Sequence, residues 1–255
     1  MEGVTIDRRV TVNEPTLLLS FSGWSDAGAA ATTAVQYVAE QTEATPFAHI
    51  DGEEFLDFTV QRPLVRLDDQ RIRSLEWPGW KFLAAESANL ILLTGPEPHL
   101  RWRSFCRSVL DLARQVGVAR VAFLGAFLAD VRYTDPVPLT GFASDTKILA
   151  DLHVPPTSYQ GPTGIVGTLA DTFQRESIPL VSLWAAIPHY IATAANPRGA
   201  LALLLRLREW IAMPIDFGTL ESAAMTFQSK LLEAVESNPE FADLLRATQK
   251  PETSH

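Results

Sequence analysis

Four predominantly apolar runs, Leu17–Phe21, Leu90–Thr94, Arg120–Leu128 and Pro179–Ala186, punctuate this chain, and segments with helical patterning separate them. A strand that reads as a near-continuous apolar run, with no polar residue at every second position, is covered on both faces. Strands of this kind alternating with helices specify a parallel or mixed sheet between helical layers, an α/β fold. Helices are expected over Ala29–Glu40, Trp102–Val116, Thr146–Leu152 and Ile165–Arg175. The second is the clearest. Trp102, Phe105, Cys106, Val109, Leu112, Ala113 and Val116 share one face at i, i+3, i+4 spacing, with Arg103, Arg107, Asp111 and Arg114 opposite. Cys106 lies on that apolar stripe and reads as a buried, inert thiol.

Shorter strands are expected at 48–50 and at 64–67, 71–77 and 80–85, the last three as a hairpin or meander broken at Asp68-Asp69 and Pro78-Gly79. After about residue 195 the strands stop. Asn196-Pro197 is an N-cap followed by proline at the first helical position. The division expected is therefore a sheet domain over 1–195 and a helical extension over 196–255, packed on it or on a neighbouring subunit. The helix at 200–210 carries Leu201, Leu203, Leu204, Leu205 and Leu207, with Ile211 just beyond, too many for one stripe. It must be covered on more than one side, and any uncovered remainder marks a partner surface. Leu220, Ala224, Phe227, Leu231 and Val235 form a further apolar seam, and Asn238-Pro239 repeats the cap signal before a last short helix.

With 255 residues, 47% of them hydrophobic, the chain has ample material for one large core. Its net charge of −9 argues against general nucleic-acid binding, which needs a basic face. One cysteine excludes an internal disulfide and a multi-cysteine metal site. No apolar segment follows the first charged residues as in a signal peptide, and no apolar run has the length of a membrane span, so a cytoplasmic protein is expected.

Two glycine turns raise the question of chemistry. "SFSGWSDAG", Ser20–Gly28, sits between a strand and a helix, and Gly23-Trp24-Ser25-Asp26-Ala27 has the form of a nucleophile elbow. A catalytic Ser25 would need a base such as His189 or His153 and an acid among Asp130, Asp135 and Asp151. As a phosphate loop the turn lacks the lysine and hydroxyl, which Ala29-Ala30 replace. Its free N–H groups, at Gly23, Ser25, Asp26 and Gly28, still suit an anion, and so do Gly161, Thr163 and Gly164 of the second turn. The plainer reading makes Asp26 or Ser25 a helix cap. The acidic cluster Asp51, Glu53, Glu54 and Asp57 lacks the ladder of a calcium loop and reads as a solvated loop anchored by Phe55 and Phe58, so no metal is expected.

"FSGWSDAG" after the first strand, Arg62-Pro63 after "DGEEFLDF", "YQGPTGIVGTL" at 159–169, "SLWAAIPHY" at 182–190 and "NPRGALALL" at 196–204 follow one another along most of the chain. Together they resemble the proteasome assembly chaperone family of the second-subunit type, in its actinobacterial-like branch. The resemblance implies a three-layer α/β/α sandwich with a mixed sheet, like that of purine nucleoside phosphorylases and related hydrolases. It also implies homo-oligomers and, in eukaryotic and archaeal relatives, a role in assisting or docking on proteasome subunits. Trp24, Arg62, Tyr159, His189 and Tyr190 belong to the matching motifs. The family commonly has asparagine where Ser25 stands, which makes the turn structural or surface-presenting. Tyr133-Thr134-Asp135-Pro136 replaces a His-Thr-Arg-Pro sequence frequent in the branch, and Thr253-Ser254-His255 replaces the hydrophobic–tyrosine–any tail of docking relatives. The functional expectation is a non-enzymatic, oligomeric, chaperone-like binding protein without a cofactor, assisting proteasome assembly or docking. A trimer is the first expectation and a dimer the second. The alternative is a small-molecule hydrolase or phosphorylase that uses the glycine turns as an anion site.

Overall fold

In chain order the elements of the computed structural model are β1 (Val4–Ile6), β2 (Thr16–Ser22), α1 (Ala30–Gln41), β3 (Thr45–Asp51), β4 (Leu64–Leu67), β5 (Arg73–Glu76), β6 (Gly79–Ala85) and β7 (Leu90–Pro96). There follow α2 (Trp102–Gln115), β8 (Arg120–Ala129), β9 (Leu139–Ala143), α3 (Thr146–Asp151), α4 (Ile165–Arg175), β10 (Leu180–Pro188), α5 (Pro197–Leu207) and α6 (Gly218–Ser237). The structure describes residues 3–191 and 195–237. The Asn238-Pro239 cap and the Thr253-Ser254-His255 end lie outside these residues.

The four apolar runs are the centre of an eight-stranded sheet of order β1-β3-β6-β7-β2-β8-β10-β9. β7, β2, β8 and β10 are mutually parallel, and the strands flanking them pair antiparallel. Side chains alternate between the two faces, as a pleated strand requires. Leu18, level with Leu92 and Ala122, joins the core under α1 and α5. Leu17 and Leu19, level with Ile91, Leu93, Val121 and Phe123, join the core under α2 and α4. The result is a three-layer α/β/α sandwich. Cys106 is buried in the α2 layer, and burial pushes its thiol up to about 12.

The apolar excess of α5 is largely absorbed within the chain. Leu203, Leu204 and Leu207 are fully buried, while Leu201 and Leu205 are partly covered. On α6 the expected seam divides: Leu220 and Ala224 are buried, and Phe227, Leu231 and Val235, like Tyr190, pack against the cluster of Tyr133 and Ile191. Among the described residues no helix is long and apolar enough to cross a membrane.

The middle segments separate into two sheets. β6 joins the main sheet, whereas β4 and β5 form their own two-stranded hairpin whose residues are all exposed. The edge strands β1 and β9 had no sequence signal of their own. β9 is held on its outer side by the following loop, where Gly141 N–H donates to Pro155 C=O at 3.1 Å and Thr157 N–H donates to Gly141 C=O at 2.8 Å.

Gly199 explains one letter of the 196–204 motif. Asn196 caps α5 by accepting the Gly199 N–H at 3.0 Å, and the Asn196 N–H donates to Gly28 C=O at 2.7 Å. A Cβ at Gly199 would lie 2.8 Å from both Ala30 Cβ and Ile187 Cδ1, so α5 starts in contact with α1 and β10. Overfilling such a contact costs about 1–3 kcal/mol. Gly199→Val is expected to lower unfolding free energy by that amount in urea titrations, and an unchanged midpoint would contradict the close approach.

Candidate functional site

In open α/β sheets the loops beyond the carboxyl ends of the parallel strands are where sites collect. Here those loops are Gly23–Asp26 after β2, Glu97 after β7, residues 130–138 after β8 and His189–Ile191 after β10. The first turn is stitched to β8, where Ala126 N–H donates to Ser25 C=O at 2.9 Å. Gly28 and Ala29 then take left-handed φ of 59° and 47°, which turns the chain sharply into α1. Asp26 holds this bend. Its Oδ1 accepts from Ala31 N–H at 2.8 Å and Thr32 N–H at 3.2 Å, and its Oδ2 accepts from the Thr32 hydroxyl at 2.5 Å. Of the two caps the sequence offered, Asp26 is the one used. Ser25 is fully buried, and among the described residues its Oγ has no hydrogen-bond partner. His189 pairs instead with Asp130, Nδ1 to Oδ1 3.1 Å. The three side chains of a serine relay are thus not joined.

The second glycine turn meets the first through a residue that the sequence did not single out. Glu97 Oε1 accepts the Ile165 N–H at the start of α4, 2.7 Å away. A Cβ on Gly164 would lie 2.5 Å from that oxygen and 3.1 Å from Trp24 Cε3, so Trp24, Glu97 and Gly164 are in contact. Both helix starts therefore carry a carboxylate of the chain itself, where a bound anion would otherwise sit.

The loop after β8 is clamped by motif residues. The Tyr190 hydroxyl accepts from Tyr133 N–H and donates to Val131 C=O, both at 3.1 Å. Arg198 donates to Tyr133 C=O and, at 2.7 Å, to Asp135 C=O. Burial is the main cause that raises the Tyr190 phenol and lowers the Arg198 guanidinium from their ordinary values.

Beside the second turn, on the α4 side of the sheet, a cavity of about 760 Å³ opens. Trp24, Phe127, Phe142 and Trp184 supply its aromatic wall, and Thr157, Ser158, Tyr159, Gln160, Gly161 and Thr163 supply the facing loop. Ser25 and His189 do not line it. The structure thus brings Trp24 together with Tyr159, Gly161 and Thr163 and leaves Arg62 exposed at the foot of the β4–β5 hairpin.

The profile of the PAC2 family matches residues 20–235. The chain belongs to this family. A PAC2 family protein from Streptomyces avermitilis has a similar solved structure, with 39% identity, 90% of this chain and 98% of that one covered, and a TM-score of 0.80. A proteasome-assembly chaperone homologue from Mycobacterium tuberculosis is 34% identical over 89% of this chain and 98% of that one, with a TM-score of 0.81. An archaeal proteasome activator from Pyrococcus furiosus has the same fold at 15% identity, with 92% of this chain and 100% of that one covered and a TM-score of 0.70. No curated protein matches the chain.

In this PAC2 chain the motif letters have separable tasks: Tyr190 and Arg198 clamp a loop, Gly164 admits Glu97, and Trp24 and Tyr159 border the cavity. Glu97, Phe142 and Trp184 were not singled out from the sequence. Glu97 meets its partner 68 positions away, and an aromatic residue on a strand reads as core.

Burial raises the Asp26 carboxyl above the ordinary aspartate range, against the opposing hydrogen bonds from Thr32 and Ala31. A carboxyl raised in the folded state binds its proton more tightly there than in the unfolded chain. Its stabilising contribution is present below the unfolded value and is lost as pH rises through the folded one. Wild type is therefore expected to gain stability relative to Asp26→Asn on acidification through that window. Urea unfolding of both proteins between about pH 4 and 7 measures the difference. A difference independent of pH would contradict the assignment.

Proposed function

We propose that this PAC2 protein is a homo-oligomeric, chaperone-like binding protein without catalytic chemistry, acting on proteasome subunits during assembly or docking. The resemblance in motifs and the Mycobacterium tuberculosis relative, called a proteasome-assembly chaperone homologue, support the partner class. The observation that carries the reading is the β4–β5 hairpin. Val65 stands opposite Leu75 and Leu67 opposite Arg73, so Val65, Leu67 and Leu75 share one face. Arg73 stands at the rim of that face, and the opposite face mixes Leu64 and Ser74 with the ion pair of Arg66 Nε and Glu76 Oε2 at 2.9 Å. Val65, Leu67 and Leu75 are 52%, 64% and 49% exposed. An isolated two-stranded hairpin is marginal in water, and a contiguous exposed apolar face marks an interaction surface.

A second copy of the chain is the occupant that this reading assigns to the apolar face. The expected assembly is a closed trimer, with a dimer as the second expectation. The self-capped helix starts and the unlinked Ser25 favour this reading over hydrolysis or phosphorolysis.

Light scattering at micromolar concentration is expected to give a multiple of the chain mass. The double variant Val65→Glu, Leu75→Lys is expected to give the monomer with its circular dichroism retained. Wild type is also expected to retain proteasome subunits from a native lysate. A wild-type monomer would overturn the assembly, and an oligomer with no proteasome subunit retained would overturn the partner.

A further inference from the structure

We propose that the cavity between Trp24 and the 157–163 loop is a binding site for a neutral, flat aromatic small molecule. Its volume of about 760 Å³ lies within the range of small-molecule pockets, roughly 300–1,000 Å³. Three features of the lining select the ligand class.

The first is the wall. Trp184 lies across β8 at Gly125, where a Cβ would fall 2.6 Å from the indole Cε3. Its ring can occupy that place because position 125 has no side chain. The Trp184 Nε1–H donates to Ser182 Oγ at 2.8 Å, so the indole brings no unpaired donor to the wall. With Phe142, Phe127 and Trp24 it offers aromatic surface suited to stacked or edge-on packing against another ring.

The second is the loop. The Tyr159 hydroxyl is used on Pro162 C=O at 2.8 Å and Thr140 Oγ1 on Pro155 C=O at 3.2 Å. Among the described residues the Ser158 hydroxyl and the Gln160 amide have no such partner, and both residues are exposed at the mouth. A ligand with one polar edge meets donors and acceptors there, while its ring meets the wall.

The third is charge. Among the described residues no aspartate, glutamate, lysine, arginine or histidine lines the cavity. A charged ligand of either sign would lose hydration without a counter-charge in the lining, a loss that the aromatic faces offset only in part for a cation. Anions are disfavoured further, because the Glu97 carboxylate lies against Gly164 behind Trp24 and the chain carries a net charge of −9.

The test uses a matched pair of fluorescent probes on the full chain: N-phenylnaphthylamine, which is neutral, and anilinonaphthalene sulfonate, the same ring system with a negative charge. The neutral probe is expected to saturate at one site per chain and to bind about tenfold or more tightly than the sulfonate. Unlabelled indole is expected to displace it, and phenyltrimethylammonium at equal concentration is not. Trp24 is 60% exposed, so Trp24→Ala keeps the fold while weakening the neutral probe about tenfold. Thr140→Phe, which fills the cavity from β9, is expected to abolish binding. The double variant Val65→Glu, Leu75→Lys is expected to bind as wild type does, which separates this site from the hairpin. Non-saturable binding, equal affinity for the sulfonate, displacement by the cation, or binding unchanged in both Trp24→Ala and Thr140→Phe would each overturn the proposal.

Discussion

Burial of β2 and β8 on both faces is the constraint from which the architecture follows. Their backbone groups are paired with parallel neighbours on either side, and their side chains fill two separate cores. Parallel neighbours cannot be joined by tight turns, so each connection travels across a face and returns the chain to the other end of the sheet. That requirement places the helical layers, and it gathers the turns after β2, β7, β8 and β10 along one edge. Every motif residue with an assigned structural task lies on or beside this edge.

What the edge does with its helix starts decides its chemistry. A helix beginning on a glycine turn has N–H groups without intrahelical partners and a positive end of its dipole. Asp26 and Glu97 meet that demand from within the chain, the first locally and the second from across the sheet. The same carboxylates neutralise the field that would draw a phosphate. Among the described residues the Ser158 hydroxyl and the Gln160 amide are left unengaged, and they stand at the mouth of a cavity whose wall is aromatic instead of charged. This edge is organised for apolar contact.

The central strands were legible because burial on two faces forces a composition that no solvated segment shares. α2 was legible for the complementary reason, its polar and apolar residues falling on opposite sides. β1 and β9 were not: at a sheet edge a strand pairs on one side only, and three to five residues leave no period to read. The strands of the hairpin could be read from Leu64–Leu67 and its partner, but not their separation from β6, since sheet membership is set by distant pairing. The width of the apolar surface on α5 correctly required cover on several sides, and most of that cover comes from α1, β10 and α6 of the same chain. Asp26 was visible as a cap by position. Glu97, Phe142 and Trp184 became meaningful only when the fold brought them beside the two turns.

The loop bound to the outer side of β9 sets a limit on how this sheet can grow. Gly141 spends both its N–H and its C=O on residues 155–157, and Pro155 and Pro156 stand in the middle of that segment. Proline has no amide hydrogen to offer a further strand. On this margin the hydrogen-bonded ladder ends in an imide-blocked selvedge, a border that cannot template another chain. A copy of this protein that met this margin at Gly141 would do so through side chains, and the sheet would not continue from one chain into the next there.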